Sequence, residues 1–437
     1  MALKADSSAG PHTSQPSKDD SSLSSDSSSG GIGIGSTEQE DQSSAVPTGI
    51  IYDYLSPEVL CGRAEQLLVD LLPGIESSED FQVEYIGMGS YHKVVGFKVP
   101  MPKAATDDTD KPLFEGGEYV IRIEREDRTN QVNMERDVAI LNGLAGKIDI
   151  PIPRVLMFDL GKTNPLNAAY TIATRLPGIT LETFAEDEWL TTEQYCCIVE
   201  NVTSIVERLA SITAPYPGLI TSSHSDGIDQ SICPSGIPMV MFDLPFDTLP
   251  LTTLANPTPL TFMLALVDLW TTYEAADLPS EDGNFASWMK IKAIIHALSH
   301  HDILGSTFHL VHGDLAPRNI LGHVVDDSTI NITGVVDWDF ASFAPPFCTY
   351  RAPLCMWTGG EDDANEWCEP EVLDAFKAVA SPVYLKYVFS EEVAIARKVW
   401  AVLREGMVGE YRRTFAKMVF QDWDEFLLKG RVVDATS

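Results

Sequence analysis

The residues most able to do chemistry stand together in His312-Gly313-Asp314-Leu315-Ala316-Pro317-Arg318-Asn319 and, further along, at Asp337. The octapeptide lies between two β-like runs, 308–311 and 320–325. Asp326-Asp327-Ser328 then reads as a turn, and 330–336 as a returning strand that ends at Asp337. Asn319 and Asp337 stand at nearly equal distances on either side of that turn. A hairpin therefore brings their side chains together at its open end. Asp314 sits in the loop that enters the same end, so two carboxylates and one amide converge.

That set suits phosphoryl transfer, which asks little covalent work of a protein. It needs in-line alignment, cations against the phosphate oxygens, and an acceptor hydroxyl that is held and then deprotonated. Magnesium is a hard ion that takes carboxylate and amide oxygens, which Asp337 and Asn319 offer. Asp314 is the group to orient the acceptor hydroxyl and receive its proton. Arg318, within the loop, either approaches phosphate or is solvated.

These residues need a scaffold. Apolar positions at helical spacing predict a helix over 57–72. Residues 81–99 alternate like two paired strands around a glycine-bearing turn, and 118–124 (EYVIRIE) is a third β-type run. An amphipathic helix follows over 133–144, then strands over 154–160 and 169–176, closed by Pro177-Gly178. Five strands with one helix after the third make a first lobe. Beyond Thr180 the pattern turns helical, over 194–209, 260–275, 286–299 and 392–428, with a Gly/Pro/Ser-rich insertion at 215–259. The reading is α+β, with a five-stranded antiparallel N-lobe and a mainly helical C-lobe. Its boundaries are a disordered Ser/Gly-rich tail at 1–46, an N-lobe at 50–178 and a C-lobe at 179–432.

HGDxxxxN followed by VVDWDFA resembles the aminoglycoside phosphotransferase and choline-kinase superfamily, relatives of the protein kinases. The resemblance implies a bilobal protein-kinase-like fold. It implies Asp314 as catalytic base, Asn319 and Asp337 as magnesium ligands, and His312 as a prop for the loop. Gly87-Met88-Gly89-Ser90 resembles the phosphate-covering loop, where glycine lets backbone N–H groups approach phosphate oxygens. The family's basic residue on the third strand falls on Arg122, where most protein kinases carry Lys; a guanidinium can hold phosphate oxygens bidentately. Its acidic partner on the next helix is expected at Glu135, with Arg136 or Asp137 able to shift the register. Arg175-Leu176-Pro177-Gly178 resembles the hinge that reads adenine. The implied cofactors are ATP, with GTP as the alternative donor, and magnesium.

Two rival readings stand beside a small-molecule kinase. A protein kinase is disfavoured because no APE-like end to an activation loop follows Asp337. A catalytically weak, pseudokinase-like nucleotide-binding protein draws on Arg122 and the loose glycine loop, against the intact trio. Gly161-Lys162-Thr163 is not a phosphate-loop motif, because Leu156 stands where the first glycine is required. Among the tryptophans of the last third, Trp357 and Trp367 are the ones to consider for a substrate pocket.

Composition bounds the partners. The chain has 437 residues and a formal net charge of −34, which argues against nucleic acid and leans toward a small hydroxylated acceptor that is cationic. Seven cysteines are scattered without a CxxC pair, as expected of reduced thiols in an intracellular compartment. The N-terminus lacks the apolar core of a signal peptide, and no apolar run reaches the roughly 20 residues of a membrane helix. A cytoplasmic protein without a membrane partner is expected.

Overall fold

A computed structural model describes residues 55–72, 82–89, 91–100, 114, 116–125, 134–186, 190–221, 233–234, 256–277, 284–353 and 369–436. The chain divides at Ile50 into two units, and every described residue lies in the second. The tail expected at 1–46, Ser90, Trp357 and Trp367 lie outside the described residues.

Helix α1 (Pro57–Leu71) starts where the Ser56 hydroxyl accepts the Val59 N–H and a proline fills the first turn, both favourable at a helix start. Leu60, Ala64, Leu67 and Leu68 recur along one face and are buried. They pack on one face of a sheet built from β1 (Gln82–Met88), β2 (His92–Val99), β3 (Gly117–Glu124), β4 (Val155–Asp159) and β5 (Tyr170–Thr174). The order is β1-β2-β3-β5-β4, all antiparallel. Alternation on β3 sends Tyr119, Ile121 and Ile123 into the core under α1, and turns Arg122 to the opposite face. Helix α2 (Met134–Leu144) lies between β3 and β4 in sequence, the five-strand, one-helix order expected for the first lobe.

From residue 175 the chain leaves this sheet. Strand β6 (Ile179–Thr180) pairs elsewhere, and α3 (Leu181–Glu186) and α4 (Thr192–Ser211) follow. A capping box between Thr191 and Gln194 opens α4. Then come β7 (Thr213–Ala214), β8 (Gly218–Thr221), β9 (Cys233–Pro234), α5 (Pro259–Asp277), α6 (Phe285–Ser299), β10 (Phe308–Val311), β11 (Ile320–Asp326), β12 (Thr329–Val335) and β13 (Ser342–Ala344). Helices α7 (Pro346–Thr349), α8 (Pro370–Val379), α9 (Pro382–Phe389), α10 (Glu391–Glu405) and α11 (Glu410–Thr436) close the chain.

The helical lobe has its own core. Trp270 and Trp288 stack at 5.6 Å, and each buried indole N–H finds an acceptor, Leu403 O at 2.7 Å and Glu274 Oε1 at 3.0 Å. The single closing helix or pair expected over 392–428 is a pair. It breaks at Gly406, whose φ is 75° and where a Cβ would overlap the Trp270 ring. Ile140, Leu141 and Leu144 of α2 belong to the same apolar cluster as this core. The first lobe is thus tied to the second by buried side chains as well as by the chain itself. The architecture is the α+β, two-lobed, kinase-type arrangement that the sequence leads one to expect. Within 215–259 the described residues show β8 paired with β9.

Candidate active site

The hairpin forms as its spacing requires. Ile320 lies opposite Val335, and Val336 N–H donates to Asn319 O at 2.9 Å. Pro317 opens a single 3₁₀ turn that ends on Asn319, so the residue enters β11 with its side chain facing the loop. Its Nδ2 donates to Asp314 O (2.8 Å) and to Asp314 Oδ2 (2.9 Å). The other Asp314 oxygen accepts from Arg318 Nη2 at 2.5 Å. With its nitrogen committed, Asn319 has its carbonyl oxygen left for a cation.

His312 supports this loop from beneath. It is 1% exposed and packs on Trp338 with ring centroids 4.5 Å apart. Its Nε2 lies 3.0 Å from Val336 O and can only donate there; Nδ1 accepts the Asp314 N–H at 3.3 Å. The neutral Nε2–H tautomer follows from that pattern. Burial pushes its pKa down to about 4 against the helping carbonyl of Val336. Gly313 has φ 87°, and a Cβ there would overlap Phe340 O, so only glycine lets the loop turn so close to the following strand.

A pH dependence follows. His312 binds its proton less readily folded than unfolded, so its stabilising share is whole above about pH 6.5 and is lost as pH falls toward 4. Urea titrations at pH 7 and pH 4.5 are expected to differ by roughly 2–3 kcal/mol from this residue. In His312→Gln that part of the slope should vanish.

Asp337 has φ 63°, an uncommon left-handed conformation for a non-glycine residue and one that concentrates at functional sites. Its side chain keeps 40% exposure, and Oδ1 lies 3.4 Å from Arg122 Nη2. Burial, then the charge of Asp339, push its carboxyl up to about 7; Arg122 opposes them and Asp314 adds to them. Asp314 and Asp337 therefore feel each other across one cleft.

Arg122 has its shortest contacts with Asp339, where Nη2 lies 2.8 and 2.7 Å from the two carboxylate oxygens. Burial alone would raise the Asp339 carboxyl, but Arg122 and His92 outweigh it and hold it well below the usual range. Arg136 Nη2 holds the Asp339 backbone carbonyl at 2.9 Å. His92, on β2, stands 2.9 Å from Arg122 Nη2, 3.3 Å from Asp339 Oδ2 and, through Nε2, 3.4 Å from Asp137 Oδ2. Burial and then Arg122 keep this histidine neutral. One donor atom each of His92, Asp137 and Asp339 fall within 4.8 Å of one another, and two of the three, His92 and Asp339, contact the Arg122 guanidinium.

The expected acidic partner on α2 shifts from Glu135 to Asp137. Asp137 is 2% exposed, and its charge acts directly on Arg122, whereas Glu135 is only partly buried. Two residues along a helix are roughly 200° apart, so only one of them can face β3. Burial and Asp339 raise the Asp137 carboxyl well above the ordinary value. Asp339 and His92 are the members that sequence reasoning missed. The signal for Asp339 was the second acid of Asp-Trp-Asp. His92 had only its β2 register, diagonal to Arg122, because Val94 is the residue opposite.

Gly87 is the last residue but one of β1, and Gly89 N–H donates to His92 O at 2.9 Å, closing the turn to β2. Arg125 donates to Gly89 O at 3.0 Å. Tyr91 reaches the second lobe and meets Phe340 edge-on at 5.6 Å.

The model of the phosphotransferase enzyme family matches residues 113–367. No curated protein matches the chain. Among solved structures, the GDP and kanamycin complex of an aminoglycoside 2″-phosphotransferase is 14% identical with a TM-score of 0.42, covering 83% of this chain and 98% of that one. A ternary complex of a second such enzyme with streptomycin and ATP is 15% identical with a TM-score of 0.42, covering 78% and 91%. An ethanolamine kinase of Plasmodium vivax is 15% identical with a TM-score of 0.41, covering 82% and 86%. The family match takes in more than half of the 437 residues and contains Arg122, Asp137, the 312–319 loop, Asp337 and Asp339; the chain belongs to the phosphotransferase enzyme family.

Proposed function

We propose that this phosphotransferase moves the γ-phosphoryl group of ATP to a hydroxyl of a small molecule, in a magnesium-dependent reaction. The observation that carries the reading is the convergence of Asp314, Asn319 and Asp337 at one end of the β11–β12 hairpin. The acceptor hydroxyl is held at Asp314. Its oxygen attacks the γ-phosphorus, the bond from that phosphorus to the bridging oxygen breaks, and ADP leaves with the electron pair. The alcohol proton passes to Asp314 late in the step. Arg318 and the Asn319 amide keep the Asp314 carboxylate aimed.

The residues present suit magnesium. Asn319 Oδ1 and Asp337 are hard oxygen donors, and burial, then the neighbouring Asp339, raise the Asp337 carboxyl. When bound, the ion screens the phosphate oxygens against the approaching alcohol. Gly87, Gly89 and Ser90 are assigned to the phosphates, with glycine allowing close approach there. Arg122 is assigned to phosphate oxygens, with Asp339 and Asp137 as positioning residues. Among the described residues no helix is long and apolar enough to cross a membrane. The acidity that leans toward a cationic acceptor belongs to the whole chain.

The test is ³¹P NMR of the chain with ATP or GTP, magnesium and a panel of hydroxylated acids, amines and sugars. A phosphate ester that forms only with magnesium present supports the reading. Nucleotide binding with no ester across the panel would favour a non-catalytic nucleotide-binding protein. Asp337→Asn is expected to weaken magnesium-ATP binding by about 10–100-fold with little effect on metal-free ATP, as read by calorimetry in the presence and absence of a chelator.

A further inference from the structure

His92 touches both groups assigned to the phosphates. Its backbone carbonyl accepts the Gly89 N–H at 2.9 Å and so closes the glycine turn. Its side chain stands 2.9 Å from Arg122 Nη2, in a residue only 5% exposed. Alternation along β2 explains the placement. Val94 lies opposite Arg122, and His92, two residues earlier, shares that face, while Val95 and Phe97 turn into the core under α1. The first residue of β2 therefore joins the turn to the guanidinium.

The chemistry of the contact is specific. A guanidinium only donates, so His92 Nδ1 accepts from Arg122 and the ring proton is assigned to Nε2, 3.4 Å from Asp137 Oδ2. Arg122 Nη2 carries two hydrogens. Nδ1 and the Asp339 carboxylate stand 3.3 Å apart beside this nitrogen and take both. Among the described residues every hydrogen bond of this guanidinium runs through Nη2. Nη1 and Nε are left for a ligand, on a side chain that keeps 17% exposure. A cationic residue in place of His92 would repel Arg122. An acid would add to the charge of Asp137, Asp337 and Asp339. A neutral imidazole supplies an acceptor at the right distance without adding charge.

Resting on the phosphotransferase reading, we infer that His92 is a positioning residue for the triphosphate: it holds Arg122 and the glycine turn in one fixed relation, so that the guanidinium presents its Nη1 and Nε edge to phosphate oxygens. Preorganisation is the physical gain. A long arginine loses rotamer freedom before the nucleotide arrives, and a binding group held this way binds more tightly than a mobile one. The base and ribose do not depend on this contact, because His92 acts only through groups assigned to the phosphates.

The experiment uses the full chain with magnesium. A non-hydrolysable ATP analogue, and adenosine as the ligand that lacks phosphates, are titrated by calorimetry against the wild type, His92→Phe, His92→Asn and His92→Gln. Asn carries its side-chain oxygen close to the place of Nδ1, whereas Gln carries its amide close to the place of Nε2. His92→Phe is expected to bind the analogue about tenfold or more weakly, the scale of one hydrogen bond to a charged group, with adenosine affinity unchanged. His92→Asn should recover most of that loss and His92→Gln should not. Thermal melts report folding, and if His92→Phe does not fold, the Asn and Gln pair decides alone. The inference is overturned by wild-type analogue affinity in folded His92→Phe, by equal losses of analogue and adenosine in a folded variant, or by an Asn variant no stronger than Gln. In each of these cases the phosphotransferase reading stands. If the wild-type chain does not bind the analogue, that reading fails first and takes this one with it.

Discussion

Asp314→Ala is expected to lower phosphoryl transfer by about 10²–10⁴-fold, the scale for removing a general base, while magnesium-nucleotide binding stays near wild type. The separation comes from geometry. Asp314 lies in the loop before the hairpin, and Asn319 and Asp337 lie on the hairpin. Removing the carboxylate takes away one partner each from Arg318 and Asn319, but Asn319 Nδ2 keeps its 2.8 Å bond to the Asp314 backbone carbonyl. The magnesium-facing oxygen should therefore stay aimed. Asp314→Asn tests the same point with the shape retained. Turnover should fall as steeply, because an amide cannot take the proton. Single-turnover rates together with nucleotide titrations measure both arms. Wild-type turnover in either variant on a genuine acceptor would remove Asp314 from the mechanism.

Arg122→Ala is expected to cost about 3–5 kcal/mol of stability, the penalty for breaking a buried ion pair from one side. Asp339 is 1% exposed and Asp137 2%, and Arg122 pairs with the Asp339 carboxylate and acts on Asp137. Without it, burial governs the Asp339 carboxyl and its pKa moves from below the ordinary value to above it. The sign of the pH dependence then inverts. In the wild type the stability from Asp339 is present above the ordinary carboxylate pKa and is lost as pH falls through the depressed value. In the variant it is greatest below the ordinary value and is lost as pH rises from there through the raised folded value. Urea midpoints should show a larger defect at pH 8 than at pH 5, while Arg122→Lys retains part of the stability. The double variant with Asp339→Ala should lose less than the sum of the two singles, because the residues share one interaction. A defect that is flat with pH would show that Asp339 does not depend on Arg122.

Much of this was legible in one dimension. Helices α1, α2, α4, α5 and α6 each carry an apolar face long enough to reveal its period, and Ser56 and Thr191 mark two of their starts. The strands β1 to β5 alternate. The convergence of residues 314, 319 and 337 needs only a turn and the spacing on either side of it. Other elements were out of reach. Strands of two to four residues, such as β6, β7 and β13, are too short to show a period. Each pairs with residues far away in the chain, as β7 does with β10 and β6 with β11. Helices α8 and α9 both begin at prolines, which read equally well as loop.

The sequence by itself determined the α+β order, the two lobes and the hairpin that gathers a base, an amide and an acid, because these depend on local periodicity and on short loops. The tertiary structure decided which acids surround Arg122. Asp137 is chosen over Glu135 by helix rotation, and Asp339 and His92 by the approach of the two lobes. It also decided the lining of a cavity beside Asp314, where residues from α4, α7, α10 and the loop between β10 and β11 meet, because contact depends on distance in space and not on order along the chain.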